Sequence, residues 1–425
     1  MKSDPPLRVV VLGGGFGGLA VCKNLCDRRF AVTLIDRQNH HLFQPLLYQV
    51  ATGGLSAPEI AHPIRSILRD RKNVTVLMEE VQGVDLARRC VKLTGSEVPY
   101  DYLVIALGAR TGYFGHPEWE EHAPGLKTLE DARRIRTDAL GCFERAECST
   151  DPAEREALLT SVVIGGGPTG VEMAGALAEL ARKVLARDFR RIAPAEAKVI
   201  LIEAGPRLLA PFDPTLSAYT AEKLTDLGVT VRVKTPVQNI TPGVVTLANG
   251  EAIRAATIVW AAGVEASPVA RTLGVTLDRG GRIPVQQDLS LAAQGHPEVF
   301  AIGDIASVVD AKGVKVPGLC PAAIQMGRHV AKVLTNEVRH AESFIKPLPR
   351  ESFAYFDKGT MATIGRNAAV AEAGGIKARG FIAWMMWLFV HLLFLVGFRN
   401  RVFVFLQWCY SYITWQRGAR IILRK

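Results

Sequence analysis

Two acids and two runs of glycine carry most of the chemistry legible in this chain. Gly13 to Gly18 reads GGGFGG and Gly165 to Gly170 reads GGGPTG, and both keep the GxGxxG spacing. That spacing suits a pyrophosphate. The first glycine turns the chain sharply, the second lets backbone N–H groups approach the charge, and the third lets the next helix pack close to the preceding strand. A glycine turn between two core elements has the same look, so context decides. The strand-like run Phe30 to Ile35 ends at Asp36 and the run Lys198 to Ile202 ends at Glu203, each an acid able to accept hydrogen bonds from a ribose. Glu203 lies further from its glycines than usual because a long helical pattern intervenes. Two dinucleotides, each on a doubly wound α/β unit, are expected.

Three further polar residues sit where chemistry could use them. Asp304 follows Gly303 at the end of the apolar run Val299 to Ile302, the carboxyl edge where open α/β sheets bind ligands; an acid there also caps the next helix. Gln325 lies on a segment, Pro317 to Ala331, that becomes helical and lines up Ala323, Gly327 and Ala331 as a face small enough to pack on a flat ring. Its amide could bond a carbonyl or simply be solvated. Glu172 stands in the first turn after the second glycine run, where the helix dipole also favours an acid. Seven cysteines without a CxxC indicate neither a disulfide framework nor a metal site, and a reduced compartment fits.

The elements that must hold these residues follow in order. Val74 to Met78, Val91 to Leu93 and Tyr102 to Leu107 read as strands, the last ending at Gly108. The stretch Arg37 to Ser56 lacks periodicity and reads as a loop wrapping a cofactor. Leu126 to Ala146 reads as a helix leading into the second unit, whose last strand, Thr257 to Trp260, runs into Ala261, Ala262 and Gly263. The returns ALGA and WAAG mark matching points. Phe353 to Ile364 and Ala368 to Glu372 are expected as strands of a smaller third domain.

A chain of 425 residues with 48% hydrophobic content has room for two or three domains. The apolar stretch after Lys2 and Arg8 resembles a signal peptide, but cleavage would remove the first strand and turn, so it is read as structure. Net charge is +10, and its placement argues against nucleic acid. Lys377, Arg379, Arg399, Arg401, Arg417, Arg420, Arg424 and Lys425 face no acid from 377 onward and flank the most apolar part of the chain. An anionic membrane surface is the expected partner. Gly380 to Phe398 as one helix would just span a bilayer, at about 28 Å. It is expected to lie in the interface instead, because the segment after it is amphipathic and tryptophans cluster in both.

Beyond the glycine runs, NHHLFQPLLYQVATG at Asn39 to Gly53, WAAGV at Trp260 to Val264, AIGD at Ala301 to Asp304, DKGTMATIGRNAAVA at Asp357 to Ala371 and the closing Gly397 to Arg420 resemble the bacterial type II NADH dehydrogenases. That resemblance implies an α/β fold of two Rossmann-like dinucleotide-binding domains, the two-dinucleotide flavoprotein fold, with a C-terminal membrane-associating region. It implies an FAD domain of residues 1–120 and 290–345, an NADH domain of 121–289, and a C-terminal domain of 346–425 with anchoring helices from about 380. FAD would be held by Gly13, Gly15, Phe16, Gly17, Gly18, Asp36, Arg37, Gln44, Val81, Ala106, Gly108, Gly303, Asp304, Ala323 and Ile324. NADH would lie on Gly165, Gly167, Pro168, Thr169, Gly170, Glu203, Ala262 and Gly263. Glu172 and Gln325 would serve the quinone, although the family's AQxAxQ pattern keeps only its second glutamine here, Pro321 standing at the first. No metal is implied. The family further implies a homodimer, peripheral on the cytoplasmic face of the bacterial inner membrane, passing electrons from NADH to quinone without pumping protons.

Overall fold

The computed structural model describes residues 5–342 and 349–422. Lys2, Arg424, Lys425 and the expected boundary between 345 and 346 lie outside the described residues. The chain forms two compact units, one of Met1–His41, His62–Arg110 and Glu265–Asp357, the other of Leu42–Ala61, Thr111–Val264 and Lys358–Lys425. This division departs from three expected domains. Residues 265–289 and 349–357 fall in the first unit, while 42–61, 111–120 and the chain from Lys358 onward fall in the second.

The first unit is built on Leu7–Leu12, whose inner residues are almost fully buried, as a parallel strand covered on both faces should be. Around it the six-stranded sheet runs Ser290–Leu291, His296–Ala301, Tyr102–Ile105, Leu7–Leu12, Phe30–Asp36, Val74–Met78, parallel except at the first pair. Register is the useful fact. Leu12 stands opposite both Ile35 and Ile105, so Gly13, Asp36 and Ala106 leave the sheet at one edge. The helices Phe16–Asn24 and Cys320–Glu342 pack together on this sheet.

That packing corrects one expectation. A Cβ on Gly327 would come within 2.4 Å of the Gly17 carbonyl oxygen and 2.9 Å of Ala20. Gly327 is therefore small because a helix crosses it, not because a flat ring lies there.

The second unit repeats the design with four parallel strands in the order Val229–Arg232, Lys198–Ile202, Thr160–Ile164, Thr257–Trp260. Ile164 stands opposite Ile202 and Trp260, the same register as in the first unit. The helix Leu129–Cys148 starts a little later than expected, at a capping box made by Thr128 and Asp131. The expected loop after Arg37 contains a short helix, Leu47–Ala51, because Leu46, Leu47, Val50 and Ala51 are buried.

Three antiparallel strands, Thr360–Thr363, Ala369–Ala373 and Ile376–Gly380, precede two helices, Phe381–Phe394 and Phe398–Thr414. The strand expected from Phe353 begins only at Thr360, and Ile376–Gly380 was not foreseen because its outward side chains are polar or exposed. The expected single helix to Phe398 breaks at Leu395, which is extended, and Gly397, at φ +88°. Among the described residues no helix is long and apolar enough to cross a membrane.

Candidate functional site

The three glycines of the first turn do three different things. Gly13 has φ +100°, and a Cβ there would come 2.4 Å from the Ala106 carbonyl oxygen; on Gly18 it would come 1.9 Å from that of Gly13. Gly15 is different. It has ordinary extended backbone, and a Cβ would meet nothing within 4 Å. The turn is thus closed by its first and third glycines and open at the second, beside the N-terminus of the helix that Phe16 begins, as an anion-binding turn requires.

Asp36 holds this turn from its strand end. One oxygen accepts from Gly14 N–H at 2.6 Å and the other from Gln38 N–H at 2.7 Å. Burial raises its carboxyl from the usual range, partly offset by those two bonds. Each oxygen keeps a lone pair for a hydroxyl. His41 Nδ1 lies 3.1 Å from the Gly14 carbonyl and its ring meets Phe16 edge-on at 4.8 Å.

At the same edge, Ile302 N–H bonds the Ile105 carbonyl at 2.9 Å, which brings Gly303 and Asp304 beside Ala106. Gly303 has φ +72° and donates to Met326 Sδ. Ala323 and Ile324 lie one turn earlier on that helix, and Ala323 is 3.5 Å from where a Gly303 Cβ would be. Gly108, at φ +63°, also faces open space. Arg37 follows Asp36, and Val81 is buried at the head of a separate three-stranded sheet. Of the residues expected around FAD, Gln44 alone falls in the second unit, exposed, its Nε2 donating to the Lys127 carbonyl at 3.3 Å.

The second turn has the same construction. Gly165 has φ +114°, a Gly170 Cβ would come 1.8 Å from the Gly165 oxygen, and Gly167 faces open space. Pro168 opens the helix, where a missing N–H costs nothing, with Thr169 exposed next to it. Glu203 accepts from Gly166 N–H at 2.6 Å and Gly205 N–H at 2.5 Å, the counterpart of Asp36. Ala262 and Gly263 follow the strand that returns beside the turn, and the Gly263 carbonyl accepts from Gly112 N–H. Arg207 Nη2 donates to the Ala210 carbonyl, whereas its buried Nη1 has no partner.

Glu172 lies on the helix Pro168–Glu179, partly exposed by area yet shielded enough that burial pushes its carboxyl up to about 8. Thr363 N–H donates to it at 3.4 Å and pulls the other way. The Thr363 hydroxyl is 3.2 Å from Tyr48 Oη, which accepts from Gln49 Nε2 at 3.0 Å; Gln49 in turn accepts from Trp408 Nε1 at 2.8 Å. Tyr48 and Gln49 line a cavity of about 540 Å³ within the second unit, walled by Trp384, Trp387, Leu388 and Trp408 of the C-terminal helices.

Gln325 spends its amide on the chain itself. Its Nε2 donates to the Phe356 carbonyl at 2.9 Å and its Oε1 accepts from Phe356 N–H at 3.0 Å, so the amide clamps a chain segment. Arg417 departs from expectation. Rather than meeting a membrane, it is buried, donating to the Thr52 carbonyl at 3.0 Å and to Glu179 at 3.2 Å. Lys377 pairs with Asp213 and Arg420 with Asp188. The cavity residues Tyr48, Arg366, Trp387 and Arg417 were missed, although an acid at Glu179 inside the apolar run AGALAEL signals a buried partner.

Residues 7–327 match the family described as pyridine nucleotide-disulphide oxidoreductase, and residues 358–415 match the NDH2 C-terminal domain. The chain is 44% identical over 434 residues to the type II NADH:quinone oxidoreductase Ndh of Mycobacterium tuberculosis, with 99% of this chain and 91% of that protein covered. In fold it is similar to NDH2 from Plasmodium falciparum in complex with NADH, at TM-score 0.88 and 20% identity, covering 98% of this chain and 100% of that one. It also shares its fold with the sulfide:quinone oxidoreductase of Aquifex aeolicus, at TM-score 0.70 and 21% identity over 93% and 92% of the two chains. Fold alone does not choose between them. The identity over nearly the whole length does, and the chain belongs to the type II NADH:quinone oxidoreductases.

Proposed function

We propose that this protein oxidises NADH and passes two electrons through bound FAD to a membrane quinone in a respiratory chain, without pumping protons. The observation that carries the reading is the repeated turn, each copy open at its second glycine and braced by an acid. Bound FAD supplies the two-electron chemistry by accepting hydride from NADH. The chain supplies the rest. Gly13 to Gly18 with Asp36 would hold FAD, and Gly165 to Gly170 with Glu203 would hold NADH. Quinone is read into the apolar cavity at Tyr48 and Gln49, and Glu172, protonated below about pH 8, is read as a proton source for it. Steady-state NADH oxidation by the flavinated protein with added quinone tests the reading; no turnover would sink it. Sulfide chemistry of this fold would need a reactive cysteine pair, and Cys22 is buried, its thiol pushed up to about 12.

NADH should be preferred over NADPH, because Glu203 already places its charge where a 2′-phosphate would fall. Glu203→Gln should weaken NADH and narrow the gap, since an amide would turn a donor toward one of the two backbone N–H groups. Catalytic efficiencies for both donors check this; equal values in the unaltered enzyme would contradict it.

Membrane attachment is read as interfacial. Ile382, Met385, Met386, Phe389, Leu406 and Ile413 are exposed on the two C-terminal helices, near Arg379, Arg399 and Arg401. With Lys377, Arg417 and Arg420 paired internally, those three arginines are the charge we assign to anionic lipid, on the cytoplasmic face of the bacterial inner membrane. A homodimer follows from the family alone. Removing everything after Arg379 is a poor test, because Trp387 and Arg417 are core residues. Ile382→Ser with Leu406→Ser, exposed positions that do not line the cavity, should instead release the protein from vesicles while leaving turnover with short soluble quinones. Unchanged co-sedimentation would remove these faces from the anchor.

A further inference from the structure

The cavity in the second unit has a polar end that the quinone reading does not use. Glu179 is buried there and accepts from Arg417 Nη2 at 3.2 Å and from the backbone N–H of Arg366 at 2.5 Å. The guanidinium of Arg366 lies 3.9 Å over the Trp415 ring, its Nη1 is buried, and that nitrogen has no hydrogen-bond partner. Trp387 Nε1 is likewise buried and unpaired. All four residues, Glu179, Arg366, Trp387 and Arg417, line the cavity.

Charge at this end does not balance. One carboxylate faces two guanidinium groups, leaving one positive charge in excess at a place where burial disfavours the charged form of both arginines. Two unpaired donors add a second cost, because a buried donor without an acceptor forfeits its full hydration. Trp384, Met385, Leu388, Phe389, Leu392 and Ile413, which also line the cavity, are apolar and belong to the helices that expose hydrophobic side chains. About 540 Å³ is within the range of small-molecule sites.

We propose that this cavity binds a single-chain amphiphile with a carboxylate head, a long-chain fatty acid, its head on Arg366 and Trp387 and its chain along the C-terminal helices. A monoanion matches the single excess charge, whereas a phosphate monoester, at about −1.5 to −2, would overshoot it. A guanidinium also presents parallel N–H groups that fit a carboxylate. A quinone is neutral, so it can use the indole donor but leaves the charge unmatched. The proposal stands on the geometry of the cavity; only its consequence, that a fatty acid competes with quinone for the same space, rests on the preceding functional reading.

Tryptophan quenching tests it, since Trp384, Trp387 and Trp408 line the cavity. The full-length flavoprotein, at fixed detergent, is titrated with a doxyl-labelled stearic acid and with its methyl ester. The acid should quench saturably at about tenfold lower concentration than the ester, the value of one charge-assisted hydrogen bond. Arg366→Gln should erase that ratio, and Arg366→Lys should keep part of it. Equal quenching by acid and ester, or a ratio that survives Arg366→Gln, overturns the proposal, because apolar surface alone would then account for binding. Quinone turnover is measured in parallel. An enzyme that turns over but does not distinguish acid from ester loses the carboxylate site and keeps the quinone reading.

Discussion

A Gly15→Val protein should fold and be colourless. Because Gly15 has φ −73° and ψ −165° and empty space beside its Cβ, valine meets no clash in the chain itself. Its stability should stay within about 1 kcal/mol of the flavin-stripped parent, the usual scale for replacing a glycine in a permitted conformation. The side chain would, however, occupy the space a pyrophosphate needs. Gly18→Val is the contrasting case, since its Cβ would fall 1.9 Å from a carbonyl oxygen and the strand, turn and helix could not close. In the second unit, Gly167→Val should leave a yellow protein that NADH no longer bleaches. Absorbance at the flavin band after desalting, together with thermal melts, checks all three. A fully flavinated Gly15→Val protein would place the cofactor elsewhere.

Glu172→Gln should slow quinone reduction by about 10²-fold or more, the usual effect of losing a positioned proton donor, while leaving stopped-flow reduction of the flavin by NADH largely intact. The unaltered enzyme should lose quinone turnover as pH rises past about 8, where the carboxyl ionises, and the variant should lack that limb. Stability gives a second readout with a definite sign. Between its ordinary 4.5 and about 8 the folded state holds this proton and the unfolded state does not, so stability falls as pH rises through that window. Glutamine does not titrate. The melting temperature of the variant should therefore gain on the parent from pH 6 to pH 9. A parent whose melting and turnover are both flat across that range would remove the raised carboxyl from the mechanism.

Both glycine turns, their bracing acids and the two return points were legible because local rules decide them: a turn needs φ > 0 or a missing Cβ at fixed positions, and the strand before it must be buried on both faces. The observed registers, Leu12 with Ile35 and Ile164 with Ile202, follow from that. What could not be read depends on distant partners. The clamp of Gln325 on Phe356 could not be foreseen because nothing in sequence links the two, and the small face at Gly327 looked like a ring platform because nothing announces the helix that crosses it. Arg417 was counted with the surface charge for the same reason. The apolar helix after Gly380 was read as one piece because Leu395 and Gly397 break it through backbone conformation rather than polarity.

The bond from Arg417 to the Thr52 carbonyl joins residues 365 positions apart. On a ribosome adding about 5–20 residues each second, Thr52 waits about 20–70 s for that partner to be made. Until then Glu179 lacks its ion pair with Arg417, so the second unit cannot reach its final packing during most of its own synthesis. The helices Phe381–Phe394 and Phe398–Thr414 are translated before Arg417 and present their apolar faces first. A nascent chain of this design therefore meets lipid, or a chaperone, before Arg417 arrives to close the fold.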